Sequence, residues 1–327
     1  MAILRFGRHA LSSAVAAAFL AGCGGGSQPP AATVAAALQN PAIAAHFKHV
    51  GSWIARSGTS GDLLYATLGD TVGIYSLSGK QVGELKGFDF EAVYGLCSDS
   101  QGNVWVTYGD SLLEYARGGT IPIAQIYMPS GAAYSCAVDP TTGDIAATEY
   151  SDEGGDNVVV YQGIYATPTT YTDSDLSFYA FCTYDDQGNL FVNGTRGKYS
   201  PLAELPSGGS TLGTIKLDRK ITRLGGLQWD GQYLAMGDSL AHVVYRFSVA
   251  NGNATTQSTT HFSGWFGHFK TIEPFAIGDS LIVLTFSKRQ TGFWKWPAGG
   301  STVRRLPVVT GAKTISVAPS ALHGGKR

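Results

Sequence analysis

Charge is scarce in this 327-residue chain: Asp, Glu, Lys and Arg make up 14% of it and balance to a net −1. So even a balance carries no electrostatic footprint for nucleic acid or for a strongly acidic substrate. Cysteine occurs four times and histidine seven times, with no C-x2-C spacing of the zinc type. The N-terminal apolar segment, residues 10–20, has eleven residues, short of the ~20 that span a bilayer. What is abundant is glycine, 43 residues, and aromatic side chains, 11%. That composition suits many short strands joined by tight turns.

Arg5 and Arg8 precede the apolar segment, as in a signal peptide. It ends in Leu20-Ala21-Gly22-Cys23, which resembles a bacterial lipobox: small residues before a cysteine that is diacylated and becomes the new N-terminus. Residues 1–22 are therefore expected to be removed, leaving the protein membrane-anchored through lipidated Cys23. Each buried CH2 contributes roughly 0.8 kcal/mol, and two or more acyl chains hold stably. Gly24, rather than Asp, resembles lipoproteins sent to the outer membrane. Residues 23–48 read as a flexible Gly/Pro/Ala linker, with 31–38 as a candidate short helix. It would reach roughly 25–30 Å.

The body of the chain repeats. A turn glycine recurs at Gly61, Gly102, Gly143, Gly188, Gly231 and Gly278, at gaps of 41, 41, 45, 43 and 47 residues. Each precedes an apolar run such as Val104-Trp105-Val106 or Leu190-Phe191-Val192. The runs are continuous rather than alternating, which implies strands buried on both faces. A second marker, Gly118-Gly119-Thr120, Gly208-Gly209-Ser210 and Gly299-Gly300-Ser301, recurs at 90 and 91 residues, two units each. Six units, each a four-stranded meander, predict an all-β fold: a six-bladed β-propeller over residues 49–319. Residues 313–318 are expected to close the ring beside 63–67, with Trp53-Ile54 as their competitor. Residues 320–327 read as a disordered tail.

Four stretches carry a family resemblance: GLCSDSQGNVWVTYGDSLLEYARGGT (95–120), CAVDPTTGDIAAT (136–148), FCTYDDQGNLFVNG (181–194) and GLQWDGQYLAMGD (226–238). Over residues 50–318 the chain resembles the NHL-like six-bladed propellers of bacterial lipoproteins. More distantly it is similar to the gluconolactonase/senescence-marker and streptogramin-lyase propellers. The resemblance implies a fold; a propeller hosts many functions, so chemistry must come from a site. The lactonase relatives hold a channel metal through Glu, Asn and Asp on different inner strands. Glu91, Asn193 and Glu273 are the loose counterparts here. The other strand starts offer Tyr and Arg, so that constellation is not reproduced.

Three Gly-Asp-Ser-Leu tetrads begin at Gly109, Gly237 and Gly278. They fall at two different places in the unit and have no oriented histidine base, so they read as turns. Cys97, Cys136 and Cys182 fall at near-equivalent inner-strand positions. An exported protein can form disulfides, but positions radiating from an axis are expected to exceed the ~7 Å Cα separation a bridge tolerates. They read as buried thiols.

In a propeller the inner-strand starts and the loops between second and third strands share one face. The starts supply Glu91, Tyr94, Tyr134, Tyr179, Arg223 and Glu273. The loops add Tyr108, Asp110, Glu149, Tyr150, Asp152, Asn193, Arg196 and Arg289. Tyrosine combines apolar area with a hydroxyl, which suits protein, peptide or sugar contact. Loop 149–156 carries four carboxylates and is a candidate for Ca2+ or another divalent ion. The expected protein is a monomeric envelope lipoprotein that binds a partner through this face. The alternative is a metal-dependent hydrolase or lyase with its site in the central channel.

Overall fold

The computed structural model describes residues 41–55, 60–88, 93–151, 155–164, 166–263, 272, 275–278, 280–286, 290–306 and 315–320. The second strand of each unit sets the architecture. Leu63–Thr67, Val104–Tyr108, Ile145–Tyr150, Leu190–Thr195 and Leu234–Asp238 are buried at nearly every position. Side chains alternate across a strand, so both faces need cover. Leu63 and Tyr65 pack with Leu96, Val106 and Leu113 of the next sheet. Leu64 and Ala66 turn the other way, onto Ala276, Val283 and Phe293. Corresponding clusters fill the other junctions between neighbouring sheets. The core is therefore divided among the spaces between sheets.

From axis to rim, the first sheet runs Ile315–Ala318, Leu63–Thr67, Val72–Ser76, Gln81–Leu85 and Trp53–Ile54. The second is Leu96–Ser98, Val104–Tyr108, Ser111–Tyr115 and Pro122–Tyr127, and the third is Ala132–Val138, Ile145–Tyr150, Asn157–Tyr161 and Thr169–Tyr171. The fourth is Phe178–Tyr184, Leu190–Thr195, Leu202–Leu205 and Gly213–Leu217. Leu227–Trp229, Leu234–Asp238, Val243–Ala250 and Asn253–Ser263 form the fifth. Phe275–Gly278, Leu281–Phe286, Gln290–Lys295 and Gly299–Leu306 form the sixth. The inner strands touch in cyclic order, from Ile315–Ala318 through each sheet to Phe275–Gly278 and back. That is the arrangement of a β-propeller.

Ring closure follows the expectation: Ile315–Ala318 lies antiparallel to Leu63–Thr67, with Leu63 opposite Ala318. Trp53–Ile54 goes instead to the rim, on Gln81–Leu85. The second sheet holds the closing strand in place. Ser98 Oγ donates to Val317 O at 2.9 Å, and Arg117 Nη1 donates to Ala318 O at 3.2 Å. Arg117 Nη2 reaches Gly61 O as well. Beside them Gly102 has φ +83°, and a Cβ there would lie 2.4 Å from Pro319 O, so this turn admits glycine alone.

Two expectations are corrected. The linker expected to extend to residue 48 ends in a helix, Pro41–Lys48, with proline at its start and His46 and Lys48 in its last turn. Its Phe47 is buried against Phe88, Tyr108 and Tyr115. The inner-ring cysteines are not all thiols: Cys97 and Cys136 form a disulfide with Cα atoms 5.6 Å apart. Radiating strands converge at the hub, which brings equivalent positions within bridging range. Cys182 stays reduced and buried, its thiol pushed up to about 12 by burial.

The repeated Asp-x-Gln-Gly-Asn turn also has a physical basis. Asp99 Oδ1 accepts Gln101 N and Asn103 N, and Asn103 Nδ2 closes on Oδ2 at 2.9 Å. Asp185 repeats this with Gln187 and Asn189. On the third strand, Glu114 is pushed up to about 7, by burial first and then by Asp99. Glu204 is raised by burial and by Asp185.

Breaking the Cys97–Cys136 bridge releases a loop with a sequence separation of 39, for which the chain-entropy relation gives about 4 kcal/mol. Urea unfolding with and without reductant is expected to show a loss of that order, and coincident curves would contradict it. Glu114 keeps its proton longer in the folded chain than in the unfolded one. The folded state binds more protons from its ordinary 4.5 up to about 7, so stability falls as pH rises through that window. Glu114→Gln is expected to flatten that fall in thermal melts; an unchanged slope would refute the assignment.

Candidate binding face

Backbone contacts show which loops share a face. Gly109 O and Asp110 O, between the second and third strands of the second sheet, accept Ala133 N at 2.9 Å and Met128 N at 2.7 Å. These donors lie at and just before the start of the third sheet's inner strand. The two loop sets named from the sequence thus meet at one end of the ring.

Aromatic side chains converge there from three sheets. Tyr94 and Tyr134 stack with centroids 5.8 Å apart and planes at 18°. Tyr134 meets Phe178 edge-on at 5.1 Å and Phe181 at 6.0 Å, and Tyr150 meets Phe178 at 6.1 Å. Tyr94, Tyr134, Tyr150 and Phe178, with Ala132 and Ala133, line an open, largely apolar cleft of about 290 Å³. Tyr150 is 40% exposed at its edge. Edge-to-face and offset packing of this kind holds rings in defined orientations.

Two polar residues named from the sequence, Asn193 and Glu149, are instead committed to holding the ring together, with partners of their own kind. Thr107, Thr148 and Asn193 occupy the same place in their second strands. Thr107 Oγ1 accepts Tyr94 N and Gly95 N. Thr148 Oγ1 accepts Ser135 N and donates to Ala180 O of the next sheet. Asn193 Oδ1 accepts Phe181 N at 3.1 Å, and Nδ2 donates to Gly225 O of the next sheet at 2.9 Å. One position later, fully buried Glu149 accepts Ser130 N and Oγ, Gly131 N and Asn157 Nδ2. Asp238 does the same for Thr222, Leu240 and Ala241. These side chains turn inward and fasten loops.

Tyr179 is also buried, its hydroxyl accepting Asp173 N and donating to Asp173 O. Tyr108 packs toward Phe47 and Phe88. Asp110, Arg196 and Arg223 are exposed on loops, Arg196 beside Asp175 and the Ser174 carbonyl. Glu91, Asp152, Glu273, Arg289 and Cys23 lie outside the described residues. Phe178 and Phe181 are not signalled by strand alternation, because a bulge shifts the register between Tyr179 and Phe181. A bulge breaks the alternation by which strand faces are read.

The axial channel holds a cavity of about 160 Å³, walled by all six inner strands. Its described polar groups include Ser98, Ser135, Thr183, Gln228 and Ser316, with Cys97, Cys136 and Cys182 among the wall residues. Among the described residues no three His, Cys, Asp or Glu side chains gather as metal ligands. In the 149–156 loop, Glu149 points inward and Asp156 Oδ1 accepts Ser151 N. A lactonase-like site would need Glu91 and Glu273, outside the described residues, and Asn193, whose amide is already engaged. Two of the three tetrad serines have structural partners: Ser111 Oγ contacts Asp110 and Gln125, and Ser239 Oγ donates to Leu224 O and accepts Ile272 N.

No family model and no curated protein matches the chain. Solved structures do. A chain of a nidogen/laminin complex superposes with TM-score 0.64 at 15% identity, covering 80% of this chain and 99% of its own. A protein of unknown function from Bacteroides caccae gives 0.58 at 13%, over 79% and 99%. Streptogramin B lyase gives 0.53 at 16%, over 77% and 86%. At such identities the likeness establishes the fold: the chain is a β-propeller.

Asn193→Ala leaves a buried N–H and a carbonyl of the next sheet unpaired, which costs about 3 kcal/mol. Tyr150→Ala, at the exposed edge, is expected to cost less than about 1 kcal/mol. Equilibrium unfolding of the two variants checks this ordering, and equal losses would overturn the division between fastening and facing residues.

Proposed function

We propose that the protein is a lipid-anchored envelope protein whose six-bladed, NHL-like propeller binds a protein partner by seating an extended peptide segment in the aromatic cleft. The observation that carries this reading is the convergence of Tyr94, Tyr134, Tyr150 and Phe178 around an open apolar space. Rigid, two-torsion aromatic side chains give large contact area at little entropic cost, and they dominate protein interfaces. The exposed loop residues Asp110, Arg196 and Arg223 belong to the surrounding polar rim. Export is supported by two independent features. The N-terminus has the leader and lipobox pattern ending at Cys23, and a disulfide such as Cys97–Cys136 persists in oxidising compartments. A similar propeller chain occurs in a nidogen/laminin complex, and another is a lyase, so the scaffold itself is neutral between binding and catalysis.

The test uses the full-length protein in its own cells, with a photo-crosslinking amino acid replacing Tyr150 or, as control, Lys80. A discrete protein adduct at position 150, absent at position 80 and reduced about tenfold by Tyr134→Ala (~1.4 kcal/mol), is expected. No adduct, or one indifferent to Tyr134→Ala, overturns the binding site. Palmitate labelling of wild type and of Cys23→Ala tests the anchor separately; an unlabelled wild type rejects it.

A further inference from the structure

On the opposite face the fifth sheet departs from an arrangement that the second and fourth sheets share. In the second and fourth sheets a glutamate on the third strand stands beside the turn aspartate: Glu114 opposite Trp105 and Glu204 opposite Phe191. The equivalent position in the fifth sheet, opposite Ala235, is Arg246. The turn there is also altered, with Tyr233 where the other two turns have Asn103 and Asn189. Asp230 Oδ1 still accepts the turn amides of Gln232 and Tyr233. Its Oδ2, deprived of the asparagine, takes Arg246 Nε at 2.6 Å and Trp296 Nε1 of the sixth sheet at 3.1 Å.

The arginine is held firmly. Its side chain is 13% exposed and that of Asp230 is 0% exposed. The guanidinium carbon lies 4.6 Å from the Tyr233 ring centroid and 5.7 Å from that of Trp296. Its terminal nitrogens, Nη1 and Nη2, make no hydrogen bond among the described residues. Arg246 and Trp296 line a groove of about 530 Å³ together with Trp229, Gln232, Asp62 and Asp186. That volume falls within the roughly 300–1,000 Å³ of small-molecule sites. The indole Nε1 of Trp229 is buried and has no acceptor among the described residues, an uncommon state for a buried donor.

We propose that this groove is a second binding site and takes an uncharged saccharide. It sets hydrogen-bond donors, acceptors and indole rings side by side, the mix that a polyhydroxylated ring with one apolar face requires. Charge selects the neutral ligand. Asp230 offsets Arg246, and Asp62 and Asp186 remain, so an anion would enter a negative surround. The planar fork therefore serves as a pre-oriented donor pair for hydroxyl oxygens rather than as an ion trap.

The test is saturation-transfer NMR on the full-length protein in detergent with maltose, cellobiose and N,N′-diacetylchitobiose. Galacturonate and inorganic phosphate form the anionic arms. Saturable transfer to at least one disaccharide is expected. Arg246→Lys, which keeps the charge and loses the fork, weakens it about tenfold. Gln232→Ala, on the exposed turn, weakens it roughly threefold and guards against a folding defect in the first variant. Tyr150→Ala, on the opposite face, leaves it unchanged, so this site and the aromatic cleft fail or succeed separately. Transfer to none of the three disaccharides, transfer to the anions alone, or transfer undiminished in both groove variants overturns the proposal.

Discussion

Burial of both faces of the second strand is the constraint on which the molecule depends. A sheet with one apolar face can pack against a single layer, but Leu63–Thr67 and its equivalents present apolar side chains to both sides. Every sheet then needs a neighbour on each side, and the arrangement has no end until it closes on itself. Closure by Ile315–Ala318 follows from this: without it, the first sheet would lack the strand that lines the axis. The rims of the fourth, fifth and sixth sheets are further joined by short parallel pairings through Asn253–Ser263.

The polar residues divide once the ring is in place. Repetition marks the structural ones, because the same strand end or turn recurs from sheet to sheet and needs the same fastening. Thr107, Thr148 and Asn193 are one such series, and Asp99 and Asp185 are another. The two proposed sites lie where the repeat is not kept. Arg246 stands where two other sheets have glutamate, and its charge cannot be explained by the needs of the turn alone. The aromatic cleft likewise belongs to three consecutive sheets and not to the ring as a whole.

Unit length, strand order, ring closure and the convergence of Tyr94, Tyr134 and Tyr150 were all legible in the sequence, since each follows from periodicity and strand direction. The destination of polar residues at strand ends was not. Glu149 and Asn193 look like surface ligands in the chain; only the loop amides and the neighbouring sheet's carbonyl, both set by tertiary packing, turn them inward. The cysteines failed for a geometric reason: spacing along the chain says which sheet a residue joins, but not how near the axis it lies. The groove at Arg246 depends on Trp296, 50 residues on in another sheet, and no local pattern links the two.

The disulfide ties the architecture to the cleft. Tyr94 and Cys97 lie near the start of one inner strand, and Tyr134 and Cys136 lie on the next. Fixing Cys97 to Cys136 fixes the separation of these two strands about 10 Å or less from the rings. The stacking of Tyr94 on Tyr134 at 5.8 Å is thereby set by a covalent bond between sheets and by the Thr107 hydroxyl that grips the Tyr94 and Gly95 amides. A partner bound as proposed would meet a wall already assembled and lose less entropy in ordering it. Cys182, at the matching place in the fourth sheet, has no such tie. The Phe178 side of the cleft is therefore held by packing and hydrogen bonds alone, so any adjustment to a partner is expected on that side.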